Sequence, residues 1–127
     1  MEIAKELLAE KRKILDEVFE TTQKQIASLP DHEYQQIIAK LMVGAVETGD
    51  EEIIVDNGER RINQEFINEV NRQLGDKGKL KLSDQRQPIG GGFILTRGKI
   101  KSNASIPVLL EQIRKELETE LAKELFS

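Results

Sequence analysis

Three consecutive glycines, Gly90-Gly91-Gly92, run straight into Phe93-Ile94-Leu95, and Gly98-Lys99-Ile100 follows shortly after. Glycine loses the most conformational freedom on ordering, so such a run marks a bend, a bulge or a close approach of another backbone, and not the middle of a regular strand. Beyond it, Phe93 and Leu95 point to one face while Gly92, Ile94 and Thr96 point to the other. Arg97-Gly98 supplies a tight turn, and Ile100 is expected to resume the apolar face on a return strand that ends near Asn103. This hairpin is a core element, and it feeds directly into a charged amphipathic helix that ends at Leu125-Phe126.

Upstream, residues 1 to about 28 read as one helix, with Leu, Ile, Val and Phe separated by Lys and Glu and no proline before Pro30. The apolar residues recur eleven positions apart: Ile3 with Ile14, Ala4 with Leu15, Leu7 with Val18, Leu8 with Phe19, Leu15 with Ile26 and Val18 with Leu29. An eleven-residue repeat favours a right-handed supercoil. An ordinary amphipathic helix packed on its own domain is the plainer reading of the same stripe. At about 1.5 Å per residue the helix is longer than so small a globule needs, so it is expected to project.

Leu29-Pro30-Asp31 breaks that helix. A second carries Tyr34, Ile37, Ile38, Leu41, Met42, Ala45 and Val46 on one face and stops at Thr48-Gly49. Glu52-Ile53-Ile54-Val55 is a short strand followed by the turn signal Asp56-Asn57-Gly58. Asn-Gly alone suggests a hairpin, but the next residues have helical spacing: Ile62, Phe66, Ile67, Val70 and Leu74, with Asn63 as cap, Ile62 and Ile67 as a staple, and Gly75 as stop. Lys79-Leu80-Lys81-Leu82 alternates like a strand, and Ile106, Leu110, Ile113, Leu117, Leu121 and Leu125 stripe the last helix, with Ser105 a candidate cap and Pro107 in the first turn. The order helix, helix, strand, helix, three strands, helix predicts an α+β fold. Its small mixed or antiparallel sheet of about four strands is covered by helices, with a helical arm at 1–29 and a globular domain at 30–127.

Composition narrows the function. The 127 residues suffice for one core, and the absence of tryptophan leaves little aromatic surface for stacking a sugar or base. A formal charge of −4 with interspersed signs gives no basic stripe, so no nucleic-acid partner is expected. No cysteine means no disulfide and no thiolate metal site, which fits a reducing, cytoplasmic setting. No apolar run reaches membrane-spanning length, so no direct membrane insertion is expected.

The chemical inventory yields no catalytic residue, no cofactor site and no metal site. His32 is the lone histidine, so neither a multi-histidine metal site nor a triad that needs a second one can be assembled; it reads as an exposed residue in the first turn of the second helix. Glu51, Glu52 and Asp56 lack calcium-loop spacing and read as surface acids. The triple glycine lacks the helix and the Lys-Ser/Thr pair that a phosphate loop requires. Ser83-Asp84 and Ser102-Asn103 read as strand ends and turns. Glu116 and Glu120 repel mildly on the last helix unless a partner intervenes.

Leu82-Ser83-Asp84, Pro88-Ile89, Gly91-Gly92-Phe93-Ile94-Leu95, Gly98-Lys99-Ile100, Asn103-Ala104-Ser105-Ile106 and the run Arg114 to Phe126 together resemble the E subunit of vacuolar/archaeal-type rotary ATPases. The resemblance also takes in Leu15-Asp16-Glu17-Val18-Phe19 and Leu29-Pro30 with Tyr34, and so spans nearly the whole chain. It implies a non-catalytic stator that pairs with the G subunit, called H in archaeal enzymes, in a stalk peripheral to the membrane. Its C-terminal α+β domain would lie against the catalytic head, mainly the B subunit, while ATP hydrolysis or synthesis is coupled to proton or sodium transport. Most of the family's long N-terminal helix is not in this chain, which implies a C-terminal piece, and Pro107 replaces a residue that is more often polar in relatives. The partner interface is expected at Ile3, Leu7, Ile14 and Val18 of the first helix and Leu117, Leu121, Leu125 and Phe126 of the last, with self-association of the isolated chain. A stator-like regulator of type III or flagellar export ATPases is the alternative, and a phosphate-binding module on Gly90 to Gly92 a remoter one.

Overall fold

A computed structural model describes residues 2–126; Met1 and Ser127 lie outside them. The elements are α1 (Glu2–Ala27), α2 (Asp31–Ala45), β1 (Glu52–Asp56), α3 (Gln64–Leu74), a 3-10 turn at Gly75–Lys77, β2 (Lys81–Gln87), β3 (Gly92–Arg97), β4 (Ile100–Ser105) and α4 (Ile106–Phe126). The four strands form one open sheet in the order β2-β1-β3-β4. β1 runs parallel to β2 and antiparallel to β3, which pairs antiparallel with β4. The fold is α+β with a mixed sheet, as the element order predicts. Parallel neighbours need a crossover, and α3 supplies it between β1 and β2.

Two compact units are present, one made of Met1–Ser28 with Val108–Ser127 and the other of Leu29–Pro107. The sequence division at residue 29 left the last helix with the globular part; here most of that helix groups with α1. Every buried hydrophobic side chain among the described residues except Leu8 lies in the 29–107 unit. Ile53, Val55, Phe93 and Leu95 alternate with Ile54 and Ile94, and all six are buried, so the middle of the sheet is covered on both faces. That double burial is why Ile53-Ile54-Val55 and Phe93-Ile94-Leu95 are continuous apolar runs.

Local chemistry sets the boundaries. Asn63 caps α3, its side-chain oxygen accepting the Phe66 N–H at 3.0 Å, and Gly75 ends it with φ of 71°. α2 has no side-chain cap behind Pro30, but Asp31 and Glu33 place negative charge in its first turn. Gly92 explains the glycine run: at φ of 77° a Cβ there would stand 2.6 Å from the Ala104 carbonyl oxygen and 2.9 Å from the Ile106 nitrogen. The backbone of β3 therefore presses against the start of α4 closely enough that only glycine fits.

Three expectations are corrected. Ile100 does not resume the core; it is 66% exposed where β4 begins, and the turn itself is Gly98-Lys99. Ser83-Asp84 and Ser102-Asn103 lie inside β2 and β4, not at their ends. β2 is irregular there: Ile53 faces Leu82 but Val55 faces Arg86, so a bulge breaks the alternation that would have marked the strand.

Candidate functional site

α1 carries two apolar stripes, displaced by one residue and hence by about 100° around the helix. Ala4, Leu15 and Ile26, with Leu8 and Phe19, form a shielded stripe in which Leu8 is buried and the rest half-buried. Ile3 and Ile14, with Leu7 and Val18, form the other, and all four are exposed, at 74%, 58%, 42% and 51%. Each stripe repeats at eleven residues. The second stripe is the unusual one, because isolated exposed apolar residues are common but a periodic row of them is not.

In the same unit, Arg114 of α4 forms an ion pair with Asp16 of α1 and a second with Glu118, 3.2 Å away, fastening the two helices. Of the expected interface residues on α4, Leu117 and Phe126 are exposed, whereas Leu121 and Leu125 are half-buried. The four α1 residues thus share one bare face; on α4, Leu121 and Leu125 continue the stripe of Leu117 but are half-buried, and Phe126 stands about 180° from Leu117 around the helix. Ile113, exposed at 48% one turn before Leu117, belongs with the bare set and was not among the expected residues; its i, i+4 spacing to Leu117 was the available signal.

Of the three acids read as surface groups, Glu52 is exposed as expected, whereas Asp56 and Glu51 are structural. Asp56 accepts hydrogen bonds from the N–H groups of Gly90 (2.9 Å), Gly58 (3.1 Å) and Ile89 (3.0 Å), which hold its carboxyl below the usual range. Glu51 is buried: burial pushes its carboxyl up, but hydrogen bonds from the backbone of Glu47 and Gly49 and from the Thr48 hydroxyl outweigh that and hold it low. Arg86 donates from one nitrogen to the carbonyls of Asp56, Asn57 and Glu59, clamping the turn after β1. Tyr34 is buried, its hydroxyl oxygen accepting the Gly92 N–H at 3.0 Å and its ring lying 3.6 Å beneath the Arg61 guanidinium. Burial raises the Tyr34 hydroxyl pKa. The amides of Gly90 and Gly92 are therefore committed to Asp56 and Tyr34. An anion arriving at the glycine run would meet a carboxylate where a phosphate loop offers free N–H groups.

An open groove of about 580 Å³ runs between α2 and α3, lined by side chains that include His32, Gln36, Lys40, Phe66 and Glu69. His32 is exposed and 3.2 Å from the Gln36 amide. The lining is mostly amide and charged, unlike the apolar walls of a ligand pocket. Among the described residues there is no cluster of His, Cys, Asp and Glu able to hold a metal, and no helix long and apolar enough to cross a membrane.

Comparison with known proteins identifies a family. The family described as ATP synthase (E/31 kDa) subunit matches residues 1–126. The chain is 44% identical over 103 residues to the V-type ATP synthase E subunit of Acetivibrio thermocellus, a match that covers 78% of this chain and 52% of the relative. It is 31% identical over 123 residues to the V-type proton ATPase E subunit of Clostridium botulinum strain Eklund 17B, covering 96% of this chain and 63% of the relative. A V-type ATP synthase E subunit, numbered 1, of Clostridium tetani is 34% identical over 123 residues, with 94% and 62% covered. The chain thus spans between half and two thirds of the length of these relatives. With the family matched along virtually its whole length, this chain is a member of the ATP synthase E/31 kDa subunit family.

Proposed function

We propose that the chain is part of a non-catalytic peripheral-stalk subunit of a V/A-type ATPase, holding the catalytic head against rotor torque while ATP chemistry is coupled to proton or sodium movement. The observation that carries this reading is the bare eleven-residue stripe of α1, Ile3, Leu7, Ile14 and Val18, beside a shielded stripe of the same period. A partner helix with a matching repeat winds on it in a right-handed supercoil, so that two helices share the load along their length. That partner is the G subunit, or H in archaeal enzymes, with Ile113 and Leu117 of α4 extending the contact. The 29–107 unit, rigid through its doubly covered sheet, docks on the head against the B subunit, on the cytoplasmic side of the membrane. A stator needs stiffness and interface, and the acids with lowered pKa values, Asp56 and Glu51, serve stiffness by holding backbone N–H groups in place.

The test is co-expression with candidate G/H, A and B subunits from the same source, followed by size-exclusion chromatography with light scattering. A discrete complex containing the G/H subunit is the expected result. Recovery of this chain only alone or with itself, under conditions where its partners are folded, would contradict the assignment.

A further inference from the structure

The turn after β1 contains the pair Asn57-Gly58, with both residues exposed. Asn57 differs from the other asparagines of the chain in two respects. Its neighbour has no side chain, and its own carboxamide makes no hydrogen bond to any described residue. The other four are engaged: Asn63 with Phe66 and Arg60, Asn68 with Gln64, Asn71 with Leu80 through both ends of its amide, and Asn103 with Ser105. They are followed by Gln64, Glu69, Arg72 and Ala104, whose side chains crowd the backbone nitrogen.

We propose that Asn57 is a site of spontaneous deamidation and isomerisation, independent of the stator assignment. The Gly58 backbone nitrogen attacks the Asn57 side-chain carbonyl carbon, forming a five-membered succinimide. The bond from that carbon to the amide nitrogen breaks, and ammonia leaves with the proton that Gly58 gives up. Water then opens the ring at either carbonyl, leaving aspartate or isoaspartate at position 57. No oxidant or further reactant is needed.

The surroundings favour the ring. A Cβ placed on Gly58 would meet only Asp56 Oδ2 within 4 Å, at 3.8 Å, so no packed side chain or backbone of another segment crowds the turn at Gly58. The same carboxylate oxygen accepts the Gly58 N–H at 3.1 Å, which orients the nitrogen and sets an acceptor beside the departing proton. The products act on the clamp: each adds a negative charge next to Asp56. Isoaspartate also lengthens the main chain between the Asp56 and Glu59 carbonyls that Arg86 holds together. The aged turn is a substrate of the isoaspartyl-peptide class, which carboxyl methyltransferases recognise.

Purified full chain is incubated at neutral pH, sampled over time, digested and mapped by mass spectrometry, with isoaspartate counted by enzymatic methyl transfer. The expected result is an amide-to-acid mass gain at Asn57 ahead of every other asparagine, abolished in Asn57→Gln. Full retention of the Asn57 amide, while the urea-unfolded chain loses it there, would overturn the proposal by showing that the fold protects the turn; earlier loss at another asparagine would overturn it equally. The aged fraction, separated by anion exchange, is expected to unfold at lower urea than fresh protein, and an unchanged midpoint would refute the effect on the clamp.

Discussion

Asp56 joins three segments of chain through one carboxylate: the end of β1, the turn at Gly58 and the loop at Ile89-Gly90. Hydrogen bonds to a charged acceptor contribute about 1.5–3 kcal/mol each, so Asp56→Ala is expected to cost at least about 2 kcal/mol in urea unfolding. Both Asp56 and Glu51 have folded-state pKa values below their unfolded ones. Their contribution is therefore complete above the ordinary carboxylate range and is lost as pH falls through the lowered folded values. Stability measured against pH should decline in acid, and Asp56→Asn should flatten part of that decline. A slope unaltered by the substitution would remove Asp56 from the acid response. Neither role was legible in the sequence, where Glu51, Glu52 and Asp56 form an unremarkable acidic group. The amides that Asp56 binds lie more than thirty positions away at Ile89 and Gly90, and no local pattern connects them. The glycines were legible as a close approach but not as to which backbone approaches. Gly92→Ala is expected to cost several kcal/mol, because its Cβ would collide with fixed backbone. Gly98→Ala, with open space around it and φ of 60°, should cost only the left-handed penalty of about 1–2 kcal/mol. Equal losses in thermal unfolding would show that contact with β4 does not matter at Gly92.

Among the elements, those with a strong period were readable and those with a broken one were not. α3 declared itself through Asn63, Gly75 and the Phe66, Ile67, Val70 spacing, and each of these has its expected place. β2 overlaps the expected strand only at Lys81 and Leu82, because the bulge between Leu82 and Arg86 carries Ser83, Asp84 and Gln85, whose polarity imitates a turn. On α1 the eleven-residue recurrence was plain, but which stripe is shielded depends on tertiary packing that the sequence leaves open. The two stripes make opposite predictions. Leu8→Glu buries a charge in the shielded stripe and should lower helicity and stability of the chain on its own. Leu7→Glu, one residue away on the bare stripe, should leave circular dichroism and the unfolding midpoint of the free chain within about 0.5 kcal/mol of the parent. If both behaved alike, α1 would have no distinct outer face.

At the scale of the molecule, the division into Leu29–Pro107 and the unit containing α1 and most of α4 separates a buried core from a helical surface. Among the described residues, sixteen of the buried hydrophobic side chains fall in the first and only Leu8 in the second. Local opening is cheapest where few apolar contacts are buried, so amide exchange should be slow in β1, β3 and α3 and fast along α1 and the later turns of α4. Uniform protection across both units would contradict that division. Family membership was legible from the order and spacing of short segments, whereas the exposure along α4 was not, since Leu121 and Leu125 continue the same sequence stripe as Leu117 but are half-buried. A partner helix bound to the outer stripe would bring protection to α1 that the free chain lacks. The most direct measurement is therefore the affinity of the G/H stalk subunit for this chain and for Leu7→Glu/Val18→Glu, by calorimetry, with folding of the variant verified separately. The expected result is tight binding by the parent chain and its loss in the folded variant; binding of equal strength by both would show that the bare stripe of α1 is not the stalk interface.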